Sequence, residues 1–325
     1  MDTTNKPQRP QFDDNWILAQ RPAKPWNDPW QLGGWLVEEE PLPDGSVVQV
    51  GTLFLTNREC PFRCLMCDLW RYTTDERVPH GAIVHQIVEG LRRLPPVKHL
   101  KLYNAGSFFD AQAIPTPELP RVAELLTDFD RVIVECHPRL VDRRCVEFSR
   151  RLKGCLEIAL GLETCHPDAL ARLNKRMTLP DFRRAADFIR TNGLRLRAFV
   201  LSTLPFLSRQ ENLDWACASI EFAFQCGADI VTVIPTRTGN GAMDWLQGQG
   251  HFTPPTIADL EAIHAYGLRL ERGVVLIDLW DASKLAHCTN CGSSRLDRLG
   301  RMNLQQKLEP PITCGCQGDA GDSSG

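Results

Sequence analysis

The sequence lacks a long apolar run, a secretory segment and an excess of basic residues. No apolar stretch among its 325 residues approaches the roughly 18 that cross a bilayer. The first residues, MDTTNKPQRP, contain no apolar export signal, so we expect a cytoplasmic protein without a membrane partner. Lysine and arginine total 37 against 40 aspartates and glutamates, and the net charge of -3 excludes the overall basic signature of nucleic-acid-binding proteins.

Cysteine, by contrast, is abundant. The chain has 13 cysteines, an odd number, and several lie in segments with strand-like or helix-like patterns. Without an export signal, these cysteines are better explained as free thiols and metal ligands than as disulfides. With 43% hydrophobic residues, the chain can bury the core of one main domain and still carry a small appendage.

From residue 47 onward, short apolar segments rich in Val, Ile, Leu and Phe alternate with helical segments. The segments predicted as strands are 47–56, 97–104, 131–137, 156–163, 194–202 and 229–236. Helices are predicted near 81–94, 118–129, 142–152, 179–192, 209–226 and 256–271, and the last of these is followed by an apolar run at 274–280. Because nearly continuous apolar strands joined by helices form buried parallel sheets, the sequence predicts an α/β fold, a partial parallel barrel of six strands.

The remaining segments are predicted to flank this barrel. Residues 1–46 are rich in proline and tryptophan and predict an N-terminal wrap around a core barrel at 47–280. A cysteine-rich extension is predicted at 281–316 and a disordered tail at 317–325.

Three cysteines lie in the loop TNRECPFRCLMCDLW, directly after the first predicted strand. Cys60, Cys64 and Cys67 have a spacing that leaves them one ligand short of the four that close a structural metal site. Thiolates hold either iron-sulfur clusters or zinc. A zinc site completed from elsewhere in the chain is one interpretation, and a cluster with an open position is the other. The position of the loop at a strand end, with Pro61 and Phe62 in its first gap, favours the cluster.

Polar residues follow the other predicted strands at their C-terminal ends, where a parallel barrel places its functional groups. Asn104, Gly106 and Ser107 form a turn of small residues that either binds a ligand or only reverses the chain. Glu135 follows an apolar run and therefore needs a partner, such as Arg139 or a ligand.

Two further strand ends carry charge. Glu163 ends the fourth predicted strand, where it either accepts hydrogen bonds from a ligand or is solvated. Arg237 follows the sixth in a loop with two glycines and an asparagine, and an arginine there can grip a carboxylate with two hydrogen bonds. The same loop can also be a simple connector.

The cysteine loop resembles that of the radical S-adenosylmethionine (SAM) superfamily. The resemblance implies a 4Fe-4S cluster on Cys60, Cys64 and Cys67, with SAM on the fourth iron, and reductive cleavage of SAM to a 5'-deoxyadenosyl radical. It also implies a one-electron reductant such as ferredoxin or flavodoxin. Met66 departs from the aromatic residue usual before the last cysteine, and places a thioether there instead.

The strand ends extend the resemblance. The segments Glu-x-His-Pro, at residues 135–138, and Gly-Leu-Glu-Thr, at residues 161–164, are similar to those of the branch containing the elongator catalytic subunit and the methylthiotransferases. This resemblance implies that Glu163 lies near the SAM ribose or methionine. Asn104, Gly106 and Ser107 stand where a glycine-rich segment binds the SAM amino group, although the usual Gly-Gly-Glu is absent. Glu135 and Arg237 are weaker candidates for contact with SAM or substrate.

Several motifs together resemble the family of the radical SAM subunit of archaeosine synthase over residues 45–280. The resemblance implies cleavage of a carbon-nitrogen bond in a lysine carried by a 7-deazaguanine nucleoside or tRNA. Because the chain is slightly acidic, an RNA substrate would be presented by a partner protein. A small nucleoside or amino-acid derivative is the alternative substrate.

Four cysteines near the C-terminus predict a second metal site. Cys288 and Cys291 form one pair, and Cys314 and Cys316 another, enough for a tetrahedral zinc shell or an auxiliary iron-sulfur cluster. Four free thiols without metal are the third interpretation. With both cysteine groups in view, a non-catalytic zinc module that binds RNA or protein is the alternative to an enzyme.

Overall fold

One sheet of eight strands organises the computed structural model, which describes residues 12–316. Its strands are β1 (Gly34–Pro41), β2 (Val47–Phe54), β3 (His99–Tyr103), β4 (Arg131–Cys136), β5 (Cys155–Glu163), β6 (Arg195–Leu201), β7 (Ile230–Ile234) and β8 (Val274–Ile277). The helices are α1 (Asp14–Gln20), α2 (Ala82–Arg93), α3 (Leu119–Leu125), α4 (Arg143–Ser149), α5 (Pro167–Arg172), α6 (Leu179–Thr191), α7 (Arg209–Gln225), α8 (Ala242–Gly248), α9 (Ile257–Arg269) and α10 (Gly292–Gln305).

The strands follow one another in sequence order across the sheet, which curls into a half-barrel. All neighbours from β2 to β8 are parallel, and β1 is antiparallel to β2. The predicted α/β partial barrel is therefore confirmed, and its six predicted strands correspond to β2 through β7. The sheet has two more strands than predicted, β1 and β8. They were missed because β8 is only four residues long and β1 carries three consecutive glutamates, and neither pattern is typical of a buried strand.

The two faces of the sheet have different partners. On the outer face, residues such as Leu53, Leu102 and Val134 join the main apolar cluster beneath the helices. On the inner face, Val50, Ile133 and Ala159 form a separate, smaller cluster. Successive side chains of a strand point to opposite faces, so the apolar strands serve both layers.

An ion network of four buried residues fills part of the inner face. Arg197 on β6 pairs with Glu157 at 2.6 Å and with Glu40 on β1 at 2.9 Å. Lys101 on β3 also contacts Glu40 and lies 2.6 Å from Glu38. Glu40 of β1 is therefore a buried ion-pair partner that joins the edge strand to the middle of the sheet.

Helix α10 covers the free edge of β8. The Asn303 side chain accepts from the Ile277 N–H at 2.9 Å and donates to its carbonyl at 2.8 Å. The Gln306 side chain does the same for Val275, at 2.8 and 3.0 Å. These amides take the place of a ninth strand and block edge-to-edge association.

Within residues 12–316, no helix has the length and apolarity to cross a membrane. The predicted tail at 317–325 and the first eleven residues of the predicted wrap lie outside the described residues. The domain boundaries stay a prediction.

Candidate functional site

The three loop cysteines lie between β2 and α2, in the loop that leaves the C-terminal end of β2. Cys60, Cys64 and Cys67 are partly buried. Burial raises the pKa of each thiol to about 12. The thiols are therefore protonated at neutral pH, and a bound cation is needed to deprotonate them.

The cysteine loop is held in place from several directions. The Leu65 N–H donates to the Leu173 carbonyl at 2.9 Å, and the Leu65 side chain is fully buried. The Asn174 side chain donates to the Arg63 carbonyl at 2.8 Å. A loop tied in this way presents its cysteines in a fixed arrangement.

Asn240, in the loop after β7, ties down the centre of the cysteine loop. Its Nδ2 donates to the carbonyls of Leu65 at 2.8 Å and Cys67 at 3.2 Å, while its Oδ1 accepts from the Met243 N–H at 2.7 Å. The side chain is only 3% exposed. Asn240 therefore links the cysteine loop to the start of α8.

We expect Asn240→Ala to lower the iron content of anaerobically purified protein, because two loop carbonyls lose their buried donor. The lost hydrogen bonds should also reduce the free energy of unfolding by about 1–3 kcal/mol. The control is Asn303→Ala, which removes two bonds to β8 and should cost similar stability without affecting iron. Equal iron content in the two variants would show that Asn240 does not position the cysteines.

The turn after β3 lies against the first cysteine. A Cβ placed on Gly106 would lie 3.4 Å from the Cys60 Cβ and 3.8 Å from the Asn104 Nδ2. Ala105, between them, has φ +51°, a left-handed conformation that costs energy for a residue with a side chain. The predicted turn and the predicted cluster loop thus meet at Gly106.

Asn104 is a buried amide that lacks a partner. Its side chain is 0% exposed, and neither Nδ2 nor Oδ1 finds a hydrogen-bond partner in the part of the chain that the structure describes. An unsatisfied buried amide costs about 1–3 kcal/mol per group. Asn104 is therefore poised to bind a ligand beside Cys60.

Ser107 is committed to the protein itself. Its hydroxyl accepts from the His137 N–H at 2.8 Å. The His137 ring stacks on Phe62 of the cysteine loop, with 3.7 Å between ring centroids. Burial and the nearby Lys175 lower the pKa of His137 to about 3, so the ring is neutral. Because its Nδ1 accepts from the Arg139 N–H, its Nε2–H donates to the Lys175 carbonyl at 2.9 Å.

Glu163 forms an ion pair that sequence reasoning did not anticipate. Its carboxylate contacts the ammonium of Lys175, and both side chains are more than nine-tenths buried. Burial opposes the charge on Lys175, but the Glu163 carboxylate outweighs it and raises the pKa of Lys175. Glu163 also has φ +66°, at a register shift of β5. The strained backbone and the ion pair thus place the Glu163 carboxylate and the Lys175 ammonium near Cys64.

Glu135 is partly buried near the same turn. Its Oε2 accepts from the Asn104 N–H at 3.3 Å, and burial raises its pKa to about 7. The carboxyl group is therefore poised between its two protonation states at neutral pH. Such a group can accept a hydrogen bond or pair with a ligand cation.

We expect Glu135→Gln to stabilise the protein increasingly as pH rises. In the wild type the folded-state pKa lies above the ordinary 4.5, so the folded state holds the proton more tightly than the unfolded state. The wild type therefore loses stability between about pH 4.5 and 7, by roughly 3 kcal/mol, and the variant does not. Urea unfolding at several pH values measures this difference. The exposed control Glu147→Gln should show no such pH-dependent difference in the free energy of unfolding. A difference in stability between wild type and Glu135→Gln that does not change with pH would contradict the burial argument.

Arg237 lies in the loop after β7. Its Nη2 donates to Asp278 at 3.0 Å and to the carbonyl of Trp280. Trp280 is 58% exposed. Arg237 thus already has a carboxylate partner in the protein, next to an exposed indole.

Two hydroxyls were missed by the sequence reasoning. Ser202 and Thr203 follow β6, are at most 5% exposed, and their hydroxyls find no partner within residues 12–316. The pair of small hydroxyl residues directly after a strand was the available signal. Lys175 had a weaker signal, since it lies in a loop after α5 rather than at a strand end.

The two cysteine groups differ in spacing. In the described chain, the sulfurs of Cys288, Cys291, Cys314 and Cys316 lie within 4.8 Å of one another, whereas the three loop sulfurs do not form a group of that size. A single ion needs closely spaced ligands, but a 4Fe-4S cluster places each thiolate on a different iron. The loop cysteines, with the unpartnered Asn104 beside them, therefore fit a cluster better than a zinc ion.

No protein-family model matches the chain. An uncharacterized protein of Methanocaldococcus jannaschii is 21% identical across 92% of this chain and 88% of that protein. Archaeosine synthase subunit beta of Methanosarcina acetivorans is 25% identical across 78% of this chain and 77% of the subunit. The subunit of the same name in Thermococcus kodakarensis is 26% identical across 48% of this chain and 51% of the subunit.

Two solved structures share the fold. Methylornithine synthase (PylB) matches with a TM-score of 0.51 and 13% identity, over 68% of this chain and 63% of that one. Elp3 of Methanocaldococcus infernus matches with a TM-score of 0.50 and 12% identity, over 67% and 59% of the two chains. These structures show the same fold, and two relatives are named archaeosine synthase subunit beta, so the resemblance stated from the motifs is confirmed.

Proposed function

We propose that this chain is a radical SAM enzyme with its reaction centre at Cys60, Cys64 and Cys67. The observation that carries the proposal is the meeting of the cysteine loop and the turn after β3, with Gly106 against Cys60 and the unpartnered Asn104 amide beside them. When bound, the cluster would supply the electron that cleaves SAM, giving a radical that abstracts hydrogen from the substrate.

The residues around this meeting point have chemistry that suits SAM. The Asn104 amide offers a donor and an acceptor to the amino and carboxylate groups of SAM. Glu135, with its pKa of about 7, can pair with the SAM ammonium and would then lose its proton. The Glu163 carboxylate and the Lys175 ammonium provide one charge of each sign nearby. Gly106 has no side chain, and so leaves the approach to Cys60 open.

The inner face of the sheet can keep the reaction away from water. Tyr103 and Phe199 pack against the inner apolar cluster, and their rings contact each other edge to face at 6.4 Å. Below them the ion network of Arg197 and Glu40 occupies the inner face. A reactive radical needs this kind of closed environment to avoid side reactions.

For the substrate, we propose a lysine-bearing 7-deazaguanine, as a nucleoside or within tRNA, with cleavage of a carbon-nitrogen bond of the lysine. The support is the motif resemblance over residues 45–280 together with the names of two relatives. The net charge of -3 favours delivery of RNA by a partner protein. Ferredoxin or flavodoxin would provide the electron.

The proposal is tested on anaerobically purified full-length protein. We expect about four irons per chain at the loop, and formation of 5'-deoxyadenosine from SAM and dithionite. Adding the lysine-bearing nucleoside, or tRNA that carries it, should increase deoxyadenosine formation. The product should be an amidine, left when a carbon-nitrogen bond of the lysine is cleaved. Deoxyadenosine without any response to these substrates would retain the enzyme class and reject the substrate.

The competing zinc module predicts a different result from the same preparation. Such a protein would be colourless, contain zinc without iron, and form no deoxyadenosine. That outcome would replace the enzyme proposal with a binding function for both cysteine groups.

A further inference from the structure

We propose that Cys288, Cys291, Cys314 and Cys316 bind a single structural zinc ion that fastens the C-terminal segment onto α10. This site is separate from the loop cysteines and does not depend on the proposed enzyme activity. The sequence left zinc, an auxiliary cluster and no metal as alternatives, and the geometry of the four sulfurs distinguishes among them.

The sulfur spacing is that of ligands around one ion. The Sγ atoms of Cys288 and Cys314 lie 3.9 Å apart, and those of Cys291 and Cys316 lie 3.4 Å apart. Four sulfurs at the zinc-sulfur distance of about 2.3 Å occupy the corners of a tetrahedron with edges of about 3.8 Å. A 4Fe-4S cluster requires wider spacing, because each thiolate binds a different iron.

The local backbone supports thiolate ligands. The N–H groups of Asn290 and Cys291 donate to the sulfur of Cys288. The Gly292 N–H donates to the Cys288 carbonyl at 2.8 Å, which closes a tight turn into α10. Backbone donors aimed at a sulfur stabilise its negative charge without adding a side chain. Zinc fits such a closed four-thiolate shell because it needs no open position.

The metal would join the start of α10 to the segment that follows the helix. After α10 the chain turns at Gln306, which has φ +51°, and runs back along the helix. Arg298 donates to the carbonyl of Pro310 at 2.7 Å, and Arg301 pairs with Glu309 at 2.8 Å. The four cysteines close this hairpin at its open end.

The hairpin is coupled to the barrel through α10. Arg295 and Arg298 both pair with Glu261 on α9, at 2.7 and 3.2 Å. The same helix carries Asn303, and Gln306 follows it directly; the side chains of both residues cap β8. Zinc at the start of α10 would therefore help to hold the cover of the sheet edge in place.

The test is metal analysis of full-length protein purified without oxygen. We expect about one zinc per chain in the wild type, lost in the double variant Cys314→Ser with Cys316→Ser, while the loop iron is unchanged. The matched control, Cys217→Ser on α7, should retain both metals. Hydrogen exchange should be faster at Val275 and Ile277 in the double variant, because the α10 cover loosens.

A second measurement guards against a variant that fails to fold. Cys64→Ala protein grown with cobalt should show the absorption of a tetrahedral cobalt-thiolate site, with no iron colour at the loop to obscure it. Absence of that spectrum would overturn the zinc assignment. So would one iron in place of zinc in the wild type, or a loss of about four irons in the double variant beyond those bound at the loop.

Discussion

Replacing Cys64 by alanine is expected to abolish 5'-deoxyadenosine formation completely. In the proposed centre, three thiolates would hold the cluster and leave one iron for SAM, so loss of one ligand would remove the reactive arrangement rather than weaken it. The Cys64 thiol lies near Cys60 and Lys175, and none of the residues held to the loop by hydrogen bonds can replace its sulfur. Iron content and deoxyadenosine, measured on the same samples under dithionite, report the two parts of the effect.

The controls for this experiment are cysteines that the structure places elsewhere. Cys136 and Cys165 lie near strand ends but are at most 9% exposed and belong to the main apolar cluster. We expect Cys136→Ala and Cys165→Ala to keep both iron and SAM cleavage, with a modest loss of stability. Deoxyadenosine formation by Cys64→Ala at the wild-type rate would refute the assignment of the loop. Loss of cleavage in either control, with iron still bound, would mean that a cysteine outside the loop takes part in it.

The strand ends explain why this region could be predicted from the sequence. A parallel sheet collects the C-terminal ends of its strands along one edge, so the positions of the cysteine loop and of Asn104 follow from the order of strands alone. Local composition identified both segments. The contact between Gly106 and Cys60 agrees with that reasoning.

Lys175 and Asn240 show where sequence reasoning stops. Each lies in a loop, Lys175 after α5 and Asn240 after β7, and each reaches its partner through the fold. A lysine or an asparagine in a polar loop is most simply explained by solvation. The curvature of the sheet brings these two loops close to the cysteine loop. Sheet curvature has no periodic pattern in the sequence, so it could not be predicted from it.

The first strand was missed for a related reason. Its three glutamates suggest a solvated segment, yet Glu40 is 7% exposed and pairs with Arg197 and Lys101 from strands distant in sequence. A buried charge is stable only with its partners in place. Neither the burial nor the pairing of Glu40 is visible until β1 and β6 are brought to the same side of the curled sheet.

We expect Arg197→Met to destabilise the protein by about 3 kcal/mol or more, because it leaves Glu40 and Glu157 buried without their shared guanidinium. Methionine retains much of the side-chain volume, so the loss reports the charge rather than a cavity. The effect should depend on pH. Arg197 helps to hold the pKa of Glu40 well below its ordinary 4.5 against the opposing effect of burial. Its stabilisation is present above that value and is lost as pH falls, so the gap between wild type and variant should narrow in acid.

Arg195→Met is the matched control on the same strand. Arg195 pairs with Asp229 at 2.9 Å, but its side chain is 51% exposed, and an exposed pair contributes less than about 1 kcal/mol. Anaerobic urea unfolding of both variants, at neutral pH and near pH 4, measures the contrast. Equal losses in the two variants, or a loss in Arg197→Met that does not shrink in acid, would show that the network contributes no more than a surface ion pair. A large, acid-sensitive loss of stability confined to Arg197→Met would mean that the buried ion network joins β1 to the rest of the sheet. The network would then also stabilise the inner face of the sheet, which we propose keeps the reaction away from water.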